Sequence, residues 1–127
     1  MALTLATATR NAMCNACVDL IDVGTGTTGG VIKITSSGDI LLVTLTFSAT
    51  AFGSANTGVA TANAITNGTA VASNTAAKAS IHDRDDATII SGLVVGAGSG
   101  DINLNSTSIT SGDVVSITSM TVTQPAS

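Results

Sequence analysis

The feature that most constrains this chain is a period of two. Between Ile40 and Ser48, Leu41, Val43, Leu45 and Phe47 alternate with Leu42, Thr44, Thr46 and Ser48. Alternate side chains of an extended chain point to opposite faces, so this run predicts a strand. The pattern recurs in Val31–Thr35, Gly58–Ile65, Ala76–His82, Ala87–Val95, Asp101–Asn105 and Val114–Thr123. In Ala76–His82 it sets Ala77, Ala79 and Ile81 against Lys78, Ser80 and His82. Turn-forming clusters separate the runs: SSGD at Ser36–Asp39, NGT at Asn67–Thr69, HDRDD at His82–Asp86, GAGSG at Gly96–Gly100 and SITSGD at Ser108–Asp113. Pro125 follows the last run. Within Val114–Thr123 the apolar positions change phase between Ile117 and Met120. That predicts either a β-bulge near Thr118 and Ser119 or a strand covered on both faces.

Seven such strands predict a mainly β fold, an antiparallel β-sandwich of jelly-roll or Ig-like type. One helix precedes them. Thr7 or Thr9 is placed to cap it, and Ala12, Met13, Ala16, Cys17, Leu20 and Ile21 recur at three- and four-residue spacing. Arg10, Asn11, Asn15, Asp19 and Asp22 fill much of the other face. The run GTGTTGG, Gly24–Gly30, stops the helix and makes a flexible connection. Residues 1–24 therefore read as an N-terminal arm and helix, and 25–127 as the sandwich, within one domain. That the helix is not interleaved with the strands argues against a parallel α/β fold. No fixed-period repeat indicates a solenoid.

Composition narrows the function. Charged residues are 9 % of the chain, the net charge is −4, and two phenylalanines are the only aromatics. Four scattered basic residues cannot form a phosphate-neutralising stripe, so nucleic acid is not an expected partner. The longest apolar run is Ile40–Val43, far short of the roughly 20 residues of a membrane-spanning helix. The start, MALTLATATR, lacks the basic and apolar regions of a secretory signal, and synthesis in the cytoplasm is expected. A core of Val, Ile, Leu and Ala is thin, which predicts an oligomer or a place on a larger assembly.

Candidate chemistry is sparse. Cys14 and Cys17 form a C-x-x-C pair, but zinc needs four ligands and His82 is the one other soft donor; two ordinary helical cysteines are expected. The chain has no glutamate, no G-x-S-x-G elbow and no P-loop, so no enzyme activity and no cofactor are expected. HDRDD holds five of the thirteen Asp, Lys, Arg and His side chains. As a metal site, Asp83, Asp85 and Asp86 offer oxygens to Ca²⁺, without the glycine and distal glutamate of an EF-hand loop. As a hairpin tip, the stretch joins two strands whose alternation resumes on each side, and this reading is the favoured one. Lys33 and Lys78 both read as outward-facing. The sequons at Asn67 and Asn105 are chance matches in a Thr-rich chain.

Several stretches carry a family resemblance. MALTLATATRNAM (Met1–Met13), LTFSATAFG (Leu45–Gly53), GVATANAI (Gly58–Ile65), GDINLN (Gly100–Asn105) and VVSITSMTVT (Val114–Thr123) resemble, in order, small structural proteins of tailed-bacteriophage virions. Those proteins are similar to capsid decoration, or cement, proteins. Where the family has a D-S-D-G-type hairpin tip, this chain has HDRDD, with Asp86 at the turn-glycine position. The resemblance implies a sandwich fold, no catalysis, and a place on the outer surface of the capsid. Its implied partners are the major capsid protein and further copies of itself, as a homotrimer or homodimer. The alternative it leaves is a tail, neck or fibre component. The candidate contact residues are Arg10, Met13, Cys17 and Leu20 on the helix, and His82, Asp83, Arg84 and Asp85 at the charged tip, which is expected to be exposed or to touch a neighbour's cation.

Overall fold

The computed structural model describes residues 4–25, 29–98 and 102–124. The middle of the Gly24–Gly30 connection, the end of the Gly96–Gly100 loop with Asp101, and Pro125 lie outside the described residues. The chain is mainly β with one N-terminal helix. Helix α1 spans Thr7–Asp19 and tightens into a 3₁₀ turn at Leu20–Asp22. Among the described residues twelve strands follow: β1 (Val31–Thr35), β2 (Leu41–Phe47), β3 (Val59–Thr61), β4 (Ile65–Thr66), β5 (Gly68–Thr69), β6 (Asn74–Thr75), β7 (Lys78–His82), β8 (Thr88–Gly96), β9 (Ile102–Leu104), β10 (Ser108–Ile109), β11 (Val114–Val115) and β12 (Ile117–Thr123).

Eight of these strands form one sheet in the order β3-β12-β9-β8-β7-β1-β2-β4, and the pairs β6–β10 and β5–β11 form two short separate ladders. This differs from the expected seven-stranded antiparallel pattern. The sheet is mixed, because β8 and β9 run parallel through Val95↔Ile102 and Gly96↔Asn103. It is also curled. Its two edge strands, β3 and β4, are consecutive in the chain. From Thr61 to Ile65 the backbone reaches about 14 Å at most, at ~3.3–3.6 Å per residue. Both edges must therefore approach each other closely. Residues between them tie in: the Ala62 amide donates to the Met120 carbonyl (3.1 Å), and the Asn63 amide donates to the Ala51 carbonyl (2.9 Å). The outer edge of β3 is covered by the chain that precedes it, through the Phe52↔Ala62 and Asn56↔Val59 bridges.

The alternation places the core. Ile32 and Ile34 of β1, Leu45 and Phe47 of β2, Ala79 and Ile81 of β7, and Ile102 and Leu104 of β9 are all buried inside the curl. One inward set differs from the period-two expectation. Leu42 and Val43 are both buried while Leu41 is exposed. The β1–β2 register slips between Ile34 and Thr35, where Val43 and Leu41 are the partners, and such a slip moves a side chain to the other face. The expected bulge in the last strand is present, as a register shift between Ile117 and Ser119. Phe47 and Phe52, with ring centroids 5.5 Å apart, form the aromatic pair in an otherwise aliphatic core.

Close backbone approach sets where glycine must stand. A Cβ on Gly68 would overlap the Thr44 carbonyl and come within 2.7 Å of Val43 Cγ2, so β5 lies directly against β2. A Cβ on Gly30 would meet Ile21 Cγ2 at 2.6 Å, which seats the end of the helical segment on the start of β1.

Candidate functional site

The helix meets the sheet through a face that shares Ile21 with its apolar repeat but otherwise differs from it. Its buried residues are Cys14, Val18 and, in the 3₁₀ turn, Ile21. Of the five polar residues expected on the solvent side, Asp19 is exposed as expected, and the other four turn inward. Asn11 Oδ1 accepts from the Gly58 amide (2.7 Å), Asn15 Oδ1 from the Ala55 amide (2.8 Å) and Asp22 Oδ1 from the Ala51 amide (2.9 Å). The 51–58 segment thus runs antiparallel to the helix: helix side chains satisfy the Ala51, Ala55 and Gly58 amides, while the Gly53 and Asn56 amides donate to the Thr61 and Val59 carbonyls of β3. Arg10 is drawn in as well, donating from Nη2 to the Thr57 carbonyl (2.7 Å) and from Nε to the Gln124 carbonyl (3.2 Å). Neither expected threonine cap forms. The N-cap is Ala6, without a side-chain hydrogen bond.

The repeat Ala12, Met13, Ala16 and Leu20 consequently faces out. Met13 is 43 % and Leu20 50 % exposed, while Cys17 sits half-buried at the border. Both cysteines are free thiols. Cys14 donates from Sγ to the Val122 carbonyl at 3.3 Å. Burial, and secondarily the neighbouring Cys14, pushes the Cys17 thiol above its ordinary pKa, opposite to what a reactive thiolate requires.

The HDRDD stretch forms the hairpin tip between β7 and β8, as its turn reading predicts. Asp83 Oδ1 accepts from the Asp85 and Ala87 amides, both at 2.9 Å, and the Asp83 amide donates to the Ala87 carbonyl (2.9 Å). Asp86 holds the left-handed position, φ 69°, where a turn glycine would otherwise stand. The carboxylates diverge to separate partners. Asp85 Oδ1 accepts from both the amide and the hydroxyl of Thr25, each at 3.0 Å. Asp86 pairs with Lys33 Nζ at 2.8 Å, so the cation this tip meets belongs to its own chain. Arg84 Nη2 donates to the Ala49 carbonyl (2.7 Å). Among the described residues, no three His, Cys or Asp side chains converge as a metal-holding group. Lys78 likewise points outward and pairs with Asp39 at 2.7 Å.

His82 is 8 % exposed. Its Nε2 lies 2.8 Å from Ser80 Oγ, and its Nδ1 lies 3.3 Å from the Asp86 carbonyl oxygen, 3.4 Å from Thr88 Oγ1 and 3.5 Å from Asp86 Oδ1. The Ser80–His82–Asp86 order has the connectivity of a nucleophile, base and acid. The Asp86 carboxylate, however, is engaged by Lys33, and Nδ1 is shared among three oxygens. The arrangement satisfies a buried imidazole and fixes the root of the tip.

Of the eight candidate contact residues, Met13 and Leu20 present apolar surface. Arg10, Asp83, Arg84, Asp85 and His82 are engaged within the chain, and Cys17 is intermediate. The asparagines that organise the 51–58 segment were missed by periodicity, since side-chain-to-backbone bonds leave no repeat. Other exposed apolar side chains are Val23, Ile40, Leu41, Val71, Val94 and Val114. An open cleft of about 260 Å³, lined by Asn105, Ser106, Ser108, Ile109, Asp113, Val114 and Val115, is shallow and mostly polar. In comparisons with known proteins, no family model, no curated protein and no solved structure matches this chain.

Proposed function

We propose that this chain is a structural protein of a tailed-bacteriophage virion, and specifically a capsid decoration protein. It binds the outer capsid lattice, contacts the major capsid protein and further copies of itself, and reinforces junctions between capsid subunits. One observation carries the reading: a helix is fastened to its own sheet by polar side chains and leaves Met13 and Leu20 uncovered on the outside. While docked, such a helix presents its apolar outer flank already ordered, so binding through it costs little ordering entropy. The flank is small, and specific interfaces bury about 1,200–2,000 Å² in total. The contact must then extend over the neutral Thr, Ala and Ser surface and engage several lattice neighbours together.

The finer architecture belongs to this proposal. Here the curled sheet with its β5–β11 and β6–β10 ladders is a variant of the jelly-roll or Ig-like sandwich. The family resemblance supports the second reading, a tail, neck or fibre component, equally well. Reconstruction of the particle distinguishes them. Hundreds of copies on the shell support decoration; tens of copies on the tail support the alternative; absence from purified particles removes both.

A further inference from the structure

The charged tip touches more than its own hairpin. On one side it belongs to the sheet: Asp86 pairs with Lys33 of β1, and His82 of β7 lies against the Asp86 carbonyl. On the other it faces the segment that leaves the helix. The Arg84 amide donates to the Val23 carbonyl (3.1 Å), and Asp85 accepts twice from Thr25. A Cβ on Gly24 would lie 2.9 Å from Arg84 Cβ and 2.9 Å from Asp85 Cγ, so the two backbones are face to face. Arg84 extends the same seam to Ala49, two residues before the Ala51 amide held by Asp22.

The helix on the far side of this seam is weakly self-sufficient. It has 13 residues, no side-chain cap, no acidic residue in its first turn and no basic residue in its last. Helices of that length are marginal alone in water. With its 3₁₀ turn it buries three apolar side chains, and it is further tied down by hydrogen bonds that Arg10 and Cys14 donate and that Asn11, Asn15 and Asp22 accept. The strands and loops supply the larger part of the one core that these three side chains join.

We propose that the HDRDD tip is a clasp that holds the N-terminal helix in place as a separable strap, with Asp85 as its closing residue. Opening the clasp releases the helix as a unit. Release uncovers Cys14, Val18 and Ile21 and frees the amides of Ala51, Ala55 and Gly58, while the sheet stays folded. The device follows from contacts within one chain and is independent of any role on a particle.

Cys14 reports the opening, because its thiol is buried only while the helix is docked. The test is residue-resolved thiol labelling of the full chain by mass spectrometry, with amide hydrogen exchange of β1, β2 and β7 followed in parallel. Asp85→Ala removes both bonds to Thr25 and is expected to speed Cys14 labelling by about 5- to 10-fold, the scale of losing one or two net hydrogen bonds. Sheet amides should keep their wild-type protection. Asp85→Asn retains Oδ1 and should label within about twofold of wild type, as an acceptor of similar geometry. The proposal is overturned if Asp85→Ala labels at the wild-type rate. It is equally overturned if sheet amides lose protection in step with Cys14, or if Asp85→Asn matches Asp85→Ala.

Discussion

Two adjacent residues test which side of the helical segment is buried. Leu20 and Ile21 are both large aliphatics within the same 3₁₀ turn, and the apolar repeat of the sequence includes both. In the structure Leu20 is 50 % exposed and Ile21 is 0 % exposed. Ile21 Cγ2 packs on Gly30, so the site has glycine backbone on one wall and cannot collapse to fill a void. Ile21→Ala should therefore cost about 3–4 kcal/mol, within the range for buried aliphatic-to-alanine changes. Leu20→Ala should stay within about 0.5 kcal/mol, as for surface positions. The chain has no Trp and no Tyr, so urea unfolding must be followed by far-UV circular dichroism. With a urea m-value near 2 kcal/mol per molar, Ile21→Ala lowers the midpoint by about 2 M and Leu20→Ala leaves it nearly unchanged. Equal losses for the two variants, or a loss under about 1 kcal/mol for Ile21→Ala, would refute the assignment of the buried face.

Three further outcomes are expected. Gly68→Ala places a methyl into the Thr44 carbonyl and Val43, and should cost several kcal/mol by the same unfolding measurement, whereas Gly98→Ala, with nothing within 4 Å, should be near neutral. The hydrogen bond from Lys33 holds the Asp86 carboxyl below its ordinary value of 3.8, with burial opposing and the charges of Lys33 and His82 adding to the lowering. A depressed carboxylate contributes stability above its unfolded pKa and loses it as pH falls through the folded value. The stability difference between wild type and Asp86→Asn, which keeps the left-handed turn accessible, should thus be constant at neutral pH and shrink below about pH 4; a difference that persists in acid removes the ion pair as its source. Finally, Met13→Ser combined with Leu20→Ser should leave the free protein's stability nearly unchanged but weaken particle binding on the order of 100-fold, from roughly 2–3 kcal/mol of lost apolar burial. Undiminished occupancy on particles would count against the helix flank as the contact.

What was legible followed the periodicity. β1, β2, β7 and β8 fall within two residues of the expected runs. In β1 and β7 one buried face enforces the side-chain period of two, whereas β2 breaks phase at Leu42 and β8 is mostly exposed or half-buried, with Val95 buried. The ladders β5–β11 and β6–β10 were not legible, since their two-residue strands contain no period at all. The parallel β8–β9 contact was equally hidden. Parallel strands usually need a long crossover, and the short glycine-rich stretch between these two reads as an ordinary turn. Leu41 was misplaced because a register slip opposite Thr35 carries no mark in the residues themselves.

The helix shows why its face resisted the same method. Periodicity ranks faces by apolar content, and here the Met13–Leu20 flank is at least as apolar as the Cys14–Val18–Ile21 flank. What selects the second is the 51–58 segment, whose amides at Ala51, Ala55 and Gly58 have no partner strand. Leaving three such donors without partners costs more than leaving two aliphatic side chains half in water, at about 1–3 kcal/mol for each buried amide. Asn11, Asn15 and Asp22 supply the acceptors, and they bring Cys14, Val18 and Ile21 inward with them. The docking of the helix is thus set by hydrogen-bond demand in a loop some 40 residues away in the chain. The same demand leaves Met13 and Leu20 outside. An apolar flank available to a neighbour and a helix clasped at its root by Asp85 are two results of one constraint, and the Leu20 and Ile21 variants together with the Cys14 labelling test its two halves separately.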